Sequence, residues 1–351
     1  ASWEKAFTSR KAGDTVIFRG GIYPTTVTNG TGISKTISGT ASQWVVFMNY
    51  PGEVPVLDCS NVTSTTYGKN FGLKLSGSYY KLKGLTVRNV WQINAVEPAE
   101  LCYAFKTEGS NYSLENCTAH DTHGTGFWPY GSNVQITNCD SYNNCDSRTL
   151  DGHMPGNNGY GYFHYNSGSS GSIYYKDCRA WKCSDDGWAL SDNSYVELDG
   201  CWSFKNGALQ GAGNGLKIGF IPQKASIPVL RVVKNCIVAF NRAGGLTTND
   251  NNHYTIAPSQ IYNNVAYHNG YFSDWSNTVY GFALYLTSGT EQEQLQRSFK
   301  NNISYKNQGA PVGDGYYHDV PYGHQNNSWD ISGLTVADAD FMSVDSTGIS
   351  G

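Results

Sequence analysis

One lysine stands in unusual company. Lys217 lies in Gly213-Asn-Gly-Leu-Lys-Ile-Gly, where its neighbours are small or apolar, whereas a lysine is ordinarily a solvated surface charge. Upstream comes an acidic doublet, Asp185-Asp186, within Cys178-Arg-Ala-Trp-Lys-Cys-Ser-Asp-Asp-Gly-Trp. Adjacent carboxylates can help hold a hard cation or act as acid and base. An amine brought next to them becomes a candidate base whose proton affinity the carboxylates control.

What could bring position 217 to positions 185 and 186 is a repeat. A short pattern recurs as Cys139-Asp-Ser-Tyr-Asn-Asn, Cys201-Trp-Ser-Phe-Lys-Asn, Asn264-Val-Ala-Tyr-His-Asn and Asn302-Ile-Ser-Tyr-Lys-Asn, with looser copies beginning at Cys117, Cys178 and Cys236. Successive starts are separated by 22, 39, 23, 35, 28 and 38 residues, a base near 22 with insertions. Each copy is followed by Gly, a bulky apolar residue and an alternating stretch, as in Gly126-Phe-Trp-Pro-Tyr, Gly187-Trp-Ala-Leu-Ser and Gly281-Phe-Ala-Leu-Tyr. Two interleaved strand signals on one short period describe coils that bury their inward residues only by stacking on each other. The period is too short for the blades of a propeller. The expected fold is all-β, a parallel β-helix of about ten coils with long loops, filling residues 1–351 as one domain.

In such a stack, residues at equal distance from the repeated Gly form columns. One column reads Trp128, Phe163, Ala189, Lys217, Thr247, Ala283; another reads Thr125, Tyr160, Asp186, Asn214, Gly244, Tyr280. Lys217 and the acidic doublet then fall on adjacent coils, one strand spacing of about 4.8 Å apart. Cys117, Cys139, Cys178, Cys201 and Cys236 share one register and are expected as an inward stack of packed thiols, with Cys145 and Cys183 the better disulfide candidates. Asn144, Asn206, Asn241, Asn269 and Asn307 share another register and are expected to form a ladder of amides. That role is structural.

Composition narrows the function classes. Charged residues make up 15% of the chain, against a usual share near ~25%, while Gly (40) and Tyr (25) are abundant. A net charge of −4 gives no basic footprint for nucleic acid, and no apolar run approaches the ~18 residues of a membrane span. The cysteines follow no zinc spacing. The chain begins at Ala1 and carries sequons at Asn29, Asn61, Asn111, Asn116, Asn302 and Asn326, which suits a processed, secreted protein. Nothing points to an obligate oligomer, so a monomer is expected.

The runs around Cys178, Cys201 and Gly213, with Ala12-Gly-Asp-Thr-Val-Ile-Phe-Arg-Gly-Gly-Ile-Tyr, Tyr50-Pro-Gly-Glu-Val-Pro-Val-Leu-Asp and the tail around Val336-Ala-Asp-Ala-Asp-Phe, resemble family 9 polysaccharide lyases over nearly the whole chain and in order. The resemblance implies a right-handed parallel β-helix that cleaves acidic polysaccharides, pectate and rhamnogalacturonan among them, by β-elimination. It places the catalytic base on Lys217 and two calcium ligands on Asp185 and Asp186. Two further acidic ligands of the family pattern fall here on Tyr160 and Ala189. Calcium seeks six to eight oxygens, so its site is expected to be weakened or absent.

In β-elimination a base removes the C5 proton beside the uronate carboxyl, and a nearby cation steadies the charge that develops. Arg179, Lys205 and Arg242 are the candidates for that cation. Tyr160, Phe163, Tyr165, Trp128, Tyr130 and Trp188 could line a groove as sugar-stacking platforms. His120, His123, His153 and His164 include a candidate acid for the leaving oxygen, with His164 nearest by register. The rivals are a β-helical glycoside hydrolase using Asp185 and Asp186, and an inactive carbohydrate-binding β-helix.

Overall fold

A computed structural model describes residues 2–342 apart from 26–30, 63–69, 93–101, 151–153, 167–170, 220, 222–224, 249–256, 273–278, 285–295, 309–315 and 319–322. Nearly every strand pairs in parallel with the equivalent strand one coil away. The smaller sheet contains ten strands, one per coil among the described residues, which is the expected coil number. The larger sheet supplies the other walls, and the chain winds through both once per coil.

Alternation of side chains drives the winding. In Tyr195–Asp199, Val196 and Leu198 are buried while Tyr195, Glu197 and Asp199 turn outward. Because the register is kept from coil to coil, inward residues stack in files. One runs Leu114, Ile136, Tyr175, Leu198, Val233, Ile261, Phe299. A second is aromatic, with ring centroids 4.7 Å apart for Phe105–Phe127, 5.0 Å for Phe127–Tyr162 and 4.4 Å for Tyr162–Trp188. No coil could bury these faces alone.

Three early coils keep a single long strand around a corner: Phe71–Lys83, Tyr103–Glu115 and Thr125–Thr137. Gly77, Gly109 and Gly131 share one register at that corner, with φ of +116°, +126° and +131°. A Cβ on Gly109 would lie 1.7 Å from the Gly77 carbonyl oxygen, so only glycine fits there. The open end of the first coils is covered by the helix Trp3–Ser9, capped by Ser2, with Phe7 stacked 4.2 Å from Phe47. Covering an end hides strand edges that would otherwise recruit other chains.

The ladder forms. Asn206 Nδ2 donates to Asn241 Oδ1 at 2.9 Å, Asn241 to Asn269 at 3.0 Å, and Asn269 to Asn307 at 2.7 Å. Asn144 belongs to the same file, but the rung between it and Asn206 is Cys183, whose N–H donates to Asn206 Oδ1 at 3.0 Å. Cys183 is thus a rung, and both it and Cys145 are free thiols, which corrects their reading as disulfide candidates. The five-cysteine stack is buried as expected and passes directly into a second ladder, Asn264–Asn302–Asn327. Asn302 is fully buried there, so its sequon is closed to modification in the folded chain.

Candidate active site

Both predicted columns exist. Ala189 pairs with Phe163 on one side and Lys217 on the other, and Lys217 pairs onward with Thr247. Leu216 points inward, so by alternation its neighbour Lys217 points out, with 15% of its side chain exposed. The acidic doublet occupies the turn that leads into the preceding strand, Trp188–Asp192. Its backbone is fixed from both sides: Asp185 N–H donates to Gly159 O at 3.0 Å, and Gly187 N–H to Asn214 O at 3.0 Å.

Lys217 Nζ lies 2.7 Å from Asp186 Oδ2. The other oxygen of Asp186, Oδ1, accepts from both the backbone N–H and the side-chain amide of Asn214, each at 2.9 Å. Asn214 in turn accepts from Gly244 N–H at 3.1 Å, tying the arrangement to the next coil. Asp185 accepts from Ala212 N–H at 3.1 Å and from the Tyr160 hydroxyl. Both carboxyls are almost wholly buried. Asn214 stood in the predicted column but was given no role; a polar amide one rung from an acid was the available signal.

Electrostatics follow from this packing. Burial disfavours the charged amine of Lys217, but Asp186, and after it Asp185, more than offset the penalty and hold its pKa well above the ordinary lysine value. Burial and the neighbouring Asp186 push Asp185 the other way for an acid, up to about 8, despite Lys217, Tyr160 and Ala212. Asp185 is therefore the carboxyl biased toward its protonated form, and Lys217, 2.7 Å from Asp186, the amine biased toward its charged form. A carboxyl whose folded pKa exceeds its ordinary 3.8 holds its proton more tightly in the fold. Its contribution to stability is complete at low pH and is lost as pH rises from about 4 to about 8. Asp185→Asn is accordingly expected to gain thermal stability relative to the parent across that window, as read from unfolding midpoints; a constant difference would contradict the assignment.

Around the amine the outward surface is aromatic. Tyr160 stacks on Phe163 with centroids 4.5 Å apart and planes 6° apart, and Phe163 lies 6.0 Å from both Tyr165 and Trp128. Tyr165 is exposed, and Trp128 and Tyr130 are half-buried. Ala189, small and outward, leaves a step between this wall and Lys217.

Other predicted site residues lie elsewhere. Trp188 is fully buried in the inward aromatic file and cannot stack on a sugar. His164 also faces the interior, its Nε2 2.7 Å from the Tyr175 hydroxyl, so it cannot protonate a leaving group in the groove. Both err by one step of strand alternation. Arg179 stands on the smaller sheet, paired with Asp140 at 2.6 and 2.7 Å. Lys205 occupies a left-handed turn position, and Arg242 is buried and donates to the Leu209 carbonyl. His120 stacks on Tyr142 of the smaller sheet, His123 packs against Trp91, and His153 lies outside the described residues.

A family model described as Pel9A-like, right handed beta helix region, matches residues 1–310. The chain belongs to the Pel9A-like right-handed β-helix family. Among its relatives, pectate lyase L of Dickeya chrysanthemi is 26% identical over 99% of this chain and 74% of its own length. Pectate lyase L of Thermoclostridium stercorarium is 29% identical over 86% of this chain, which spans only 22% of that longer protein. A solved rhamnogalacturonan lyase aligns with a TM-score of 0.68 at 25% identity, covering 96% of this chain and 84% of its own. The crystal structure of pectate lyase Pel9A aligns with a TM-score of 0.67 at 21% identity, over 98% and 78%. The named relatives are polysaccharide lyases, and membership fixes the right-handed winding.

The calcium ligands that the sequence resemblance implies meet a poor donor set in this Pel9A-like site. Asp186 is already committed to the Lys217 ammonium and Asn214. The two other acidic positions are Tyr160 and Ala189, and among the described residues no three His, Cys, Asp or Glu side chains converge as metal ligands. A hard cation would have to displace an ammonium and gather most of its six to eight oxygens from outside the protein.

Proposed function

We propose that this chain is a polysaccharide lyase that cleaves an acidic, uronate-containing polysaccharide by β-elimination, with Lys217 as the base. The observation that carries this reading is the outward amine of Lys217, gripped by Asp186 on the face that carries the Tyr160–Phe163 aromatic wall. The neutral amine takes the C5 proton, the released electron pair forms the C4=C5 bond, and the C4–O bond breaks, the leaving oxygen taking a proton from water. Asp186 stabilises the resulting ammonium, so it makes Lys217 a stronger base while moving its neutral form to higher pH. The reaction is therefore expected to favour alkaline conditions.

No step runs through calcium, because the donor set does not fit it. The substrate is a polymer met outside cells, which supports secretion. A glycoside hydrolase is disfavoured: Asp185 and Asp186 are buried and engaged by protein donors, whereas a hydrolase needs two carboxyl groups open to the glycosidic bond and water. The inactive, carbohydrate-binding reading draws on the charged Lys217–Asp186 pair, since an ammonium cannot accept a proton. A screen of polygalacturonate, rhamnogalacturonan and other acidic polysaccharides at alkaline pH, with and without chelator, decides the matter. Growth of ultraviolet absorbance from the conjugated C4=C5 bond, indifferent to chelator, is the expected result. Binding without product would leave only the adhesive reading.

A further inference from the structure

The outward column that carries Lys217 does not begin with the aromatic wall. Traced back, its members are Ala189, Phe163, Trp128, Lys106 and Lys74. Lys74 stands in Gly72-Leu-Lys-Leu, the register equivalent of Gly215-Leu-Lys-Ile around Lys217. Five strand spacings of about 4.8 Å separate Lys74 from Lys217, about 24 Å along one face.

The two early lysines converge. Lys74 Nζ and Lys106 Nζ each lie 5.5 Å from the centroid of the Phe71 ring, and Lys106 Nζ lies 3.6 Å above Trp128. Phe71 stacks 5.5 Å from Tyr103, which lies 4.6 Å from Trp128 and is fully buried, so Tyr103 backs the two rings that lie directly beneath the amines. Among the described residues, Glu108 is the one acid in ion-pair range of Lys106, at 3.5 Å, and Lys74 has no acidic partner. Two ammonium groups and one carboxylate leave a net positive charge on an apolar shelf. Burial and the proximity of Lys74 both work against the charge on Lys106. Like charges held together over a low-dielectric floor are relieved by an anion between them.

We propose that Lys74 and Lys106, over Phe71 and Trp128, form a remote subsite for an anionic sugar, its acidic group between the amines and its ring beside the partly exposed Trp128. The subsite extends the groove of the lyase reading and rests on that reading for the identity of the polymer. It selects chains long enough to reach from Lys217 to Lys74 and carrying acid at that distance. Short oligosaccharides cleaved at Lys217 do not feel it.

The test is affinity electrophoresis of the full chain through gels holding polygalacturonate, dextran sulfate or neutral galactan, at low and raised salt. The parent is expected to be retarded by an acidic gel and not by galactan. Retardation by polygalacturonate assigns the anion as carboxylate, and by dextran sulfate alone as sulfate. The double variant Lys74→Ala/Lys106→Met, which keeps an apolar stem over Trp128, is expected to lose about tenfold or more in affinity and most of the salt dependence. An unchanged unfolding midpoint certifies its fold, and the single variant Lys74→Ala, altering only the more peripheral amine, should lose affinity in the same direction. A double variant within twofold of the parent, or a parent that no acidic gel retards, overturns the subsite. Retardation of the parent without unsaturated product would defeat the lyase reading and leave the subsite standing.

Discussion

Lys217→Ala is expected to lower formation of unsaturated product by about 10²–10⁴-fold, the usual contribution of a positioned general base. The column has room for the change, because Ala189 and Ala283 occupy the same register one coil before and two coils after. Electrostatics are less forgiving. Removing the ammonium strands the buried carboxylate of Asp186, a type of loss that costs about 3–5 kcal/mol when nothing else compensates. The two donors from Asn214 offset part of that cost. The double variant Lys217→Ala/Asp186→Asn removes both charges and should recover most of the stability but none of the activity. Such a split between unfolding midpoint and turnover separates a lost base from a damaged fold. Near-normal product formation by Lys217→Ala would refute the assignment.

Asp186→Asn carries the second large effect. An amide keeps an oxygen for Asn214 but withdraws the negative charge 2.7 Å from Lys217. That charge is what holds the amine protonated against the penalty of burial. The sign is fixed: without it the ammonium is less stable, the pKa falls, and the rising limb of the pH–rate profile moves to lower pH, by about 1–3 units for loss of a close opposite charge. The limiting rate at high pH should fall at the same time, because a less basic amine has a smaller driving force for taking the C5 proton. Profiles of kcat/KM for parent and variant measure both changes. Coincident rising limbs would mean that the titrating group is not Lys217.

How far the chain could be read before its structure follows from one property of the fold. A β-helix contributes one residue per coil to each column, so equal spacing from a repeated Gly translated directly into neighbours in space. That is why Phe163, Ala189 and Lys217 were found in line, and why Asn206, Asn241, Asn269 and Asn307 emerged as a ladder. The same spacing held the information needed for Trp188 and His164. Residues one and three after the Gly have the opposite parity from Lys217, and alternation sends them inside. Cys183 was in the ladder register too, but a thiol does not resemble an amide; its Sγ accepts from Asn144 and its backbone N–H donates to Asn206. Lys74 and Lys106 were hidden for a different reason: the corner glycines merge two strands into one in those coils, and Ala104 replaces the marker Gly between Gly72 and Gly126. The state of Asp185 lay beyond the sequence altogether, since it depends on how deeply the turn is buried and on a hydroxyl from Tyr160.

Cleavage in heavy-oxygen water tests the central claim most directly, because elimination and hydrolysis differ in whether water enters the product. Mass spectrometry of fragments released from an acidic polysaccharide should show the pair summing to the parent chain, with an unsaturated new end and, after subtraction of the exchange that a pre-cleaved control shows at its reducing end, no heavy oxygen in either fragment. One heavy oxygen for each bond broken would mean that water is the nucleophile, and the amine of Lys217 would lose its place as base to the carboxyls of Asp185 and Asp186.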